Sequence, residues 1–365
     1  MSVTGPISQT SRIARMRRNT MDDQTAIKDD QTATFCTAAA CRSWTGIDVS
    51  KDTLDVSLFL ESGPPVFGKF SNNKTGHGQF FKWAKRQSKG ARVHFCMEAT
   101  GNYGNAAALS LAGANQMVSV VNPAYIHYWN LSRGTGNKTD KADAKAIAEY
   151  CRTEKPGLWR AATPEVRELT ALVRHYDNLV DHVTQMKNRL KEPGLSPTVS
   201  RSLAKLLKQL EAEQADIKKL IDKHIDNNPT LKKDRDLLVT IPGIANLTAA
   251  EILAELPDVR QFTDASSAAK YAGLSPSQHE SGTSIRKRTK VFKAGNRRLK
   301  TALHMPAMSA IVHNEPVKQI FNRLKAKGHK GASALSAAKR KLLMIAFGVL
   351  RTQQPFRANQ AAIYA

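Results

Sequence analysis

Cysteine is scarce in this chain: four residues (Cys36, Cys41, Cys96 and Cys151) in 365. They have neither the density of a disulfide framework nor the close pairing of a zinc site. Cys96 and Cys151 fall in apolar patterns, where a thiol behaves as a small core side chain. A reducing compartment is expected, and no structural zinc. Long apolar runs are also missing. The longest one near the C-terminus, Leu342 to Leu350, falls well short of the ~20 residues that span a bilayer, and no apolar signal core follows the Arg-rich start. A cytoplasmic protein without a membrane partner is expected, nucleoid-associated when active. Residues 1–42 lack apolar periodicity and read as a disordered basic and polar arm, with Met21 available as a second start.

The third scarcity is local. From Ser281 to Arg351 a single acid, Glu315, stands against 17 Lys and Arg, a local charge of +16 within a total of +24. Two-thirds of the excess thus lies in one-fifth of the chain, whereas a surface charged only for solubility would mix its signs. Concentrated positive charge attracts polyanions, because neutralising phosphates releases counterions. Nucleic acid is the favoured partner.

Hydrophobic patterning divides what remains. Trp44–Ser50 and Thr53–Leu60 are β-rich runs joined by the turn-like Lys51-Asp52, which predicts a hairpin;. Further strands are expected at Val66–Phe70, Arg92–Met97 and Gln116–Val121. Helices are expected at Gly76–Arg86, Asn105–Ala112, Pro123–Leu131 and Asp140–Arg152. The order β-β-β-α-β-α-β-α is that of an α/β domain of the ribonuclease-H or RuvC-like type, over residues 43–162. From Pro164 the pattern becomes helical. Leu169, Leu172, Tyr176, Leu179, Val183, Met186 and Leu190 form a coiled-coil seam;. Pro193-Gly194 breaks it, and Leu203, Leu207, Leu210, Ile217, Ile221 and Ile225 form a second stripe;. Residues 163–232 therefore read as a helical hairpin that packs on itself or on a second subunit. Residues 233–356 read as a mainly helical domain, with a tail over 357–365. Its segment Thr240–Leu253 resembles a helix-hairpin-helix element; Gly243 there could open backbone N–H groups to a phosphate or could simply join two helices.

Four acids carry the chemistry. Asp48 sits inside an apolar strand, where a carboxylate is costly unless paired or bound to a cation. Glu98 ends the strand containing Val93, Phe95 and Met97, which neighbours the first strand on this fold. Asp140 and Asp143 lie three apart at a helix start and share one face;. Each has an ordinary alternative: Asp48 could pair with Lys51 or a buried donor, Asp140 could cap the helix, and Asp143 could be solvated. Together, four oxygen donors can hold Mg²⁺ or Mn²⁺, the hard cations of phosphoryl transfer.

These residues sit in motifs that resemble a known family. Gly46-Ile-Asp-Val-Ser-Lys-Asp-Thr-Leu-Asp-Val56, Met97-Glu-Ala-Thr-Gly-Asn-Tyr103, Val121-Asn-Pro123 and Asn137-Lys-Thr-Asp-Lys-Ala-Asp-Ala144 are similar to the Asp-Glu-Asp-Asp insertion-sequence transposases, described as bridge-RNA-guided recombinases. Ile241-Pro-Gly-Ile, Tyr271-Ala-Gly-Leu-Ser-Pro276, Glu280-Ser-Gly-Thr-Ser284, Lys293-Ala-Gly-Asn296 and Arg340-Lys-Leu342 extend the resemblance from about Trp44 to Phe356. It implies that Asp48, Glu98, Asp140 and Asp143 are RuvC-like metal ligands. It also implies that Ser281 is a nucleophile forming a transient phosphoserine link to DNA, in a composite site. The residues alone do not distinguish Ser281 from Ser275, Ser277 or Ser284, and a serine in a Gly-containing basic loop is usually only a loop residue.

The implied partners are donor and target DNA, a structured guide RNA that selects sequence, and further copies of the chain as a homodimer or homotetramer. The basic run Arg286, Lys287, Arg288, Lys290, Lys293, Arg297, Arg298 and Lys300 follows the serine and reads as a phosphate-contacting surface;. The sequence departs from the family at its N-terminal 42 residues and at Val291-Phe292-Lys293, where the family carries a small hydroxyl residue before the lysine. The competing enzyme reading is a RuvC-like nuclease or resolvase that uses water as its nucleophile. An actin-like ATPase would need a second repeat of the fold and an adenosine-binding glycine loop, neither of which is present.

Overall fold

Five strands form one sheet in the computed structural model, which describes residues 41–99, 101, 103–134, 139–281, 285–291 and 295–358, with backbone alone over 277–281 and 285–291. The arm expected at 1–42 and the tail at 357–365 lie outside the described residues, apart from Cys41, Arg42, Arg357 and Ala358. The strands are β1 (Ser43–Val49), β2 (Thr53–Phe59), β3 (Val66–Ser71), β4 (Val93–Glu98) and β5 (Met117–Val121). Their order is β3-β2-β1-β4-β5. β1, β2 and β3 pair antiparallel, while β1–β4 and β4–β5 are parallel. The helices between them are α1 (Lys74–Gln87), α2 (Tyr103–Gly113), α3 (Pro123–Ser132) and α4 (Asp140–Glu154). The expected succession of elements is thus observed, with ends shifted by at most two residues.

The sheet has two chemically different faces because successive side chains alternate. Ile47, Leu54, Val56, Leu58, Phe95 and Met97 are buried on one face. There Phe80 of α1 meets Phe95 edge-on at 5.6 Å, and Phe70 packs against Trp83 at a tilt, 5.5 Å apart. The opposite face carries Gly46, Asp48, Asp55, Ser57, His94, Cys96, Glu98 and Ser119, by the register of the pairs. A small-residue stripe of α4 (Ala144, Ile147, Ala148, Cys151) covers much of it. Buried His94 shares a 2.8 Å hydrogen bond with Ser119, and burial lowers its pKa to about 4.

The described chain divides into two compact units. Unit 1 takes residues up to Val121 together with Thr135–Leu158; unit 2 takes Asn122–Gly134 and everything from Trp159 onward. Unit 2 contains α3 and the long helices α5 (Pro164–Arg189) and α6 (Pro197–Asp226), then α7 (Pro229–Val239), α8 (Asn246–Glu255) and α9 (Ala265–Tyr271). Strands β6 (Pro276–Ser281) and β7 (Ile285–Val291) follow, then α10 (Arg297–Ala302), α11 (His304–His313), α12 (Glu315–Ala326) and α13 (Gly331–Thr352). One local signal opens four of these helices. Asn122, Thr163, Ser196 and Asn228 each accept a hydrogen bond from a first-turn N–H, and each is followed by a proline. A polar cap satisfies an orphan donor while proline presets the first helical φ.

Helices α5 and α6 form an antiparallel hairpin, as shown by Lys187–Glu211 (2.8 Å), Tyr176–Gln214 (3.4 Å) and the Glu165 carbonyl with His224 (2.8 Å). Leu169, Val173, Leu179, Val183 and Met186 face Leu203, Ile217, Ile221 and Ile225 in its buried seam. The run Leu342–Leu350 belongs to α13, whose side is buried in the core of unit 2. No helix among the described residues is long and apolar enough to cross a membrane.

At the α7–α8 turn, Gly243 has φ +103°, and an added Cβ there would press on Pro306 and Ala310 of α11. Asn314 also donates to the Pro242 carbonyl at 3.3 Å. Packing and backbone conformation therefore account for this glycine.

Candidate active site

Gly46 determines how the acids meet. A Cβ at this position would collide with the Ala144 carbonyl oxygen and the Ala148 backbone nitrogen. Its absence lets α4 rest directly on β1, backbone against backbone. Asp48 lies two residues farther along the same face, and Glu98 stands one step past the Ile47–Met97 pair on β4. The first turn of α4 carries Asp140 and Asp143. Thr139 is its cap, accepting from the Ala142 N–H at 3.2 Å, so Asp140 is free of that role. Acids in a first turn are favoured by the helix dipole, which is one ordinary reason for their presence.

Charge repulsion links Asp48 to Asp143, Asp140 and Asp55, and Glu98 to Asp48 and Asp143. Asp48 is raised to about 6, chiefly by burial and then by Asp143, Asp140 and Asp55, against one stabilising N–H from Val49. Glu98 is raised to about 7 by burial, then Asp48 and Asp143. Removal from water and like-charge crowding both disfavour the ionised form. The positive charge at hand is largely committed elsewhere: Lys69 pairs with Asp55 at 3.0 Å. Asp48, Asp55 and Lys69 lie in one cross-strand row through β1, β2 and β3. Sequence reasoning missed Asp55 and Lys69. The signal was available, because a hairpin turning at Lys51-Asp52 pairs position 48 with 55. Lys51, expected as a possible partner of Asp48, lies in that turn.

Four carboxylates, of which Asp48 and Glu98 are held above their ordinary values, form a donor set suited to a hard divalent cation. As they stand, no three His, Cys, Asp or Glu groups among the described residues are placed to hold a metal ion. Coordination would require these side chains to close in on the ion.

The other expected site residues lie in unit 2. Ser281 is the last residue of β6 and pairs with Ile285 of β7. The expected loop is thus replaced by the end of a two-stranded ribbon; its polar, charged sequence lacks the apolar alternation by which strands are read. Arg286, Lys287, Arg288 and Lys290 lie on β7, and Arg297, Arg298 and Lys300 on α10. Lys293 lies outside the described residues. Arg298 approaches Asp177 of α5 at 3.6 Å.

The base of the ribbon is anchored by groups that sequence reasoning did not single out. Glu255 is 5% exposed. It receives two hydrogen bonds from the Arg174 guanidinium at 2.6 and 3.1 Å and one from Asn296 Nδ2 at 2.9 Å. The Asn296 backbone N–H donates to the Tyr271 carbonyl at 2.7 Å, while its Oδ1 caps α10. One buried carboxylate thereby ties α5 and α8 to the segments that enter and leave β6–β7.

Comparison with known proteins adds identity to this geometry. A family model described as a transposase of the Asp-Glu-Asp-Asp IS110 type matches residues 45–193, and one described as the transposase IS116/IS110/IS902 family matches residues 235–322. The pilin gene-inverting protein of Moraxella bovis is 32% identical over 318 residues, covering 86% of this chain and 98% of that protein. A transposase for insertion sequence element IS1111A from Coxiella burnetii is 25% identical over 73% of this chain and 78% of its own length. An IS110 43.6 kDa protein of Streptomyces coelicolor is 30% identical over 61% of this chain and 51% of its own length. The chain therefore belongs to the IS110/IS116/IS902 family of transposases.

Proposed function

We propose that this protein cuts and rejoins DNA as the recombinase of an insertion sequence, with Asp48, Glu98, Asp140 and Asp143 as a metal-holding carboxylate set and Ser281 as nucleophile. The observation that carries the reading is the charge repulsion that links Asp48 on β1 and Glu98 on β4 to each other and to the acids in the first turn of α4. The names of the relatives, a gene-inverting protein and a transposase, support strand exchange rather than simple degradation. Bound Mg²⁺ or Mn²⁺ would offset negative charge developing on the reacting phosphate oxygens.

The chain's own residues do the rest. The carboxylates hold and orient the ion. The Ser281 Oγ–P bond forms as the bond to the departing deoxyribose oxygen breaks, and the hydroxyl proton leaves to a carboxylate or to water. The covalent serine link conserves the phosphodiester energy, so a second DNA hydroxyl can reverse the step on a new strand. The clustered basic residues of β7 and α10 position the phosphates without reading bases. Sequence choice is assigned to a structured guide RNA. The buried α5–α6 seam belongs to a helical hairpin, and association into a dimer or tetramer is part of the reading.

The test is direct. Donor and target DNA, the RNA encoded beside the gene, and Mg²⁺ are incubated with the protein and analysed under denaturing conditions. A protein–DNA adduct is expected, lost in Ser281→Ala. Asp48→Asn is expected to lower strand cleavage by about 10³-fold or more, as loss of a metal ligand does. Normal cutting and rejoining by Ser281→Ala would replace this mechanism with the water-nucleophile reading.

A further inference from the structure

Unit 2 contains a cavity of about 690 Å³ lined, among the described residues, by Arg297, Lys300 and Thr301 of α10, His304 and Met305 of α11, Lys339 of α13, and the backbone of Ala272, Gly273 and Gly295. Three cationic side chains from two helices converge there. Among the described residues none of Arg297, Lys300 and Lys339 has a salt-bridge partner, whereas Arg298 on the same helix does. Lys339 is half-buried; its ammonium donates to the Lys300 carbonyl at 3.5 Å. Burial and the neighbouring Lys300 ammonium both lower its pKa. Holding like charges around an open cavity is unfavourable unless an anion occupies it. Gly295 packs directly on the Gly273 backbone, where a Cβ would collide, so this part of the wall is main chain. The volume lies within the ~300–1,000 Å³ range of ligand pockets and accepts a nucleotide unit rather than a lone inorganic ion.

We infer that this cavity is a phosphodiester-binding site for the nucleic-acid strand that runs along the β6–β7 ribbon, with Lys339, Lys300 and Arg297 as its cationic wall. Lys339 and His304 were not legible as nucleic-acid residues in the sequence; α13 and α11 bring them to α10. The site is separate from the one at Ser281. Gly273 and Gly295 flank the base of the ribbon, and Ser281 ends β6. The five steps between its six residues, at ~3.3 Å each, span about 17 Å, roughly five base-pair rises of 3.4 Å. The cavity thus holds a different phosphate from the one attacked. This assignment rests on the recombinase reading only for that last relation, since phosphate binding does not require Ser281 to react.

The test measures binding of the full-length protein to a random-sequence DNA duplex and, separately, to a structured RNA, over a series of salt concentrations. Lys300→Gln/Lys339→Gln is expected to weaken binding to at least one probe roughly tenfold and to flatten the log K against log [salt] slope by about one to two. Lys300→Arg/Lys339→Arg should restore most of both. Loss with DNA, RNA or both supports the site and identifies the strand that occupies it. Unchanged affinity and slope with both probes overturn it. If the double variant fails to fold, Lys300→Gln alone is read in the same way, with about half the slope change. Ser281→Ala, run in parallel, should keep the affinity and slope while losing the covalent adduct. A wild-type protein that forms no adduct, together with a flattened slope in the lysine variant, would remove the serine reading and leave the cavity standing. An adduct with an unchanged slope would do the opposite.

Discussion

The two units solve opposite electrostatic problems. Unit 1 gathers negative charge on the polar face of a sheet, with Asp48 and Glu98 raised to about 6 and about 7. Unit 2 gathers positive charge around a cavity and along a ribbon, and matches its buried carboxylate Glu255 with Arg174 and Asn296. The contrast separates two uses of a buried acid. A matched one anchors structure, because removing a partner strands a charge. An unmatched cluster is a cost to the fold that a bound cation can offset.

Three perturbations test that contrast. The largest effect on stability is expected from Gly46→Ala, because the new methyl group meets backbone atoms of α4 rather than a side chain that can move. A loss of about 3 kcal/mol is expected. Hydrogen exchange should accelerate in β1, β4 and α4, while α8 and α13 stay protected. Comparable loss of protection in both units would break the distinction between them.

Arg174→Met comes next. It leaves Glu255 with Asn296 alone, and about 2–3 kcal/mol should be lost, read as faster exchange in α5, α8 and α9 with unit 1 unaffected. Arg174→Met/Glu255→Met should recover much of that loss, since removing both charges is far less costly than removing one. A double variant no more stable than Arg174→Met would show that the carboxylate is not the source of the cost.

The smallest effect is a pH trend. The folded values of Asp48 and Glu98 lie above their ordinary values of 3.8 and 4.5. Their contribution to stability is therefore fully present below about pH 4 and is lost as pH rises through 6 and 7. After allowance for solvent screening the change is about 1–2 kcal/mol. Denaturant unfolding in chelator should show it, Asp48→Asn/Glu98→Gln should flatten it, and Mg²⁺ should restore stability at neutral pH but not below pH 4. Glu251 of α8, raised to about 7 by burial and Asp177, gives unit 2 a trend from a single group. A pH response equal in both units would weaken the case for a special cluster in unit 1.

What was legible in the sequence follows the same division. β1 to β5 could be read because their apolar residues alternate against polar ones, and the helices because caps and prolines announce them. The acids stood out because charge inside such patterns is unusual. Asp140 as a cap was a fair alternative that only geometry removes, since Thr139 holds that position. The β6–β7 ribbon was read as a loop because His-Glu-Ser and Arg-Lys-Arg-Thr-Lys contain almost no apolar side to bury. Glu255 stood in an apolar stretch, Ile252 to Leu256, yet its partners Arg174 and Asn296 are 81 and 41 residues away. Lys339 was invisible for the same reason: its neighbours are set by packing, not by spacing.

The direct seating of α4 on Gly46 has a mechanical consequence. Side-chain rotamers usually set how far a helix stands from a sheet, and they leave some slack. Here hard backbone contact sets it, so the gap between the helix start and the strand end behaves like a caliper locked at one opening. Substitutions on the outer surface of α4 should leave the jaw width unchanged. Divalent ions of different radius would then be sorted by how far carboxylate side chains can bend inward, with the jaws themselves held still.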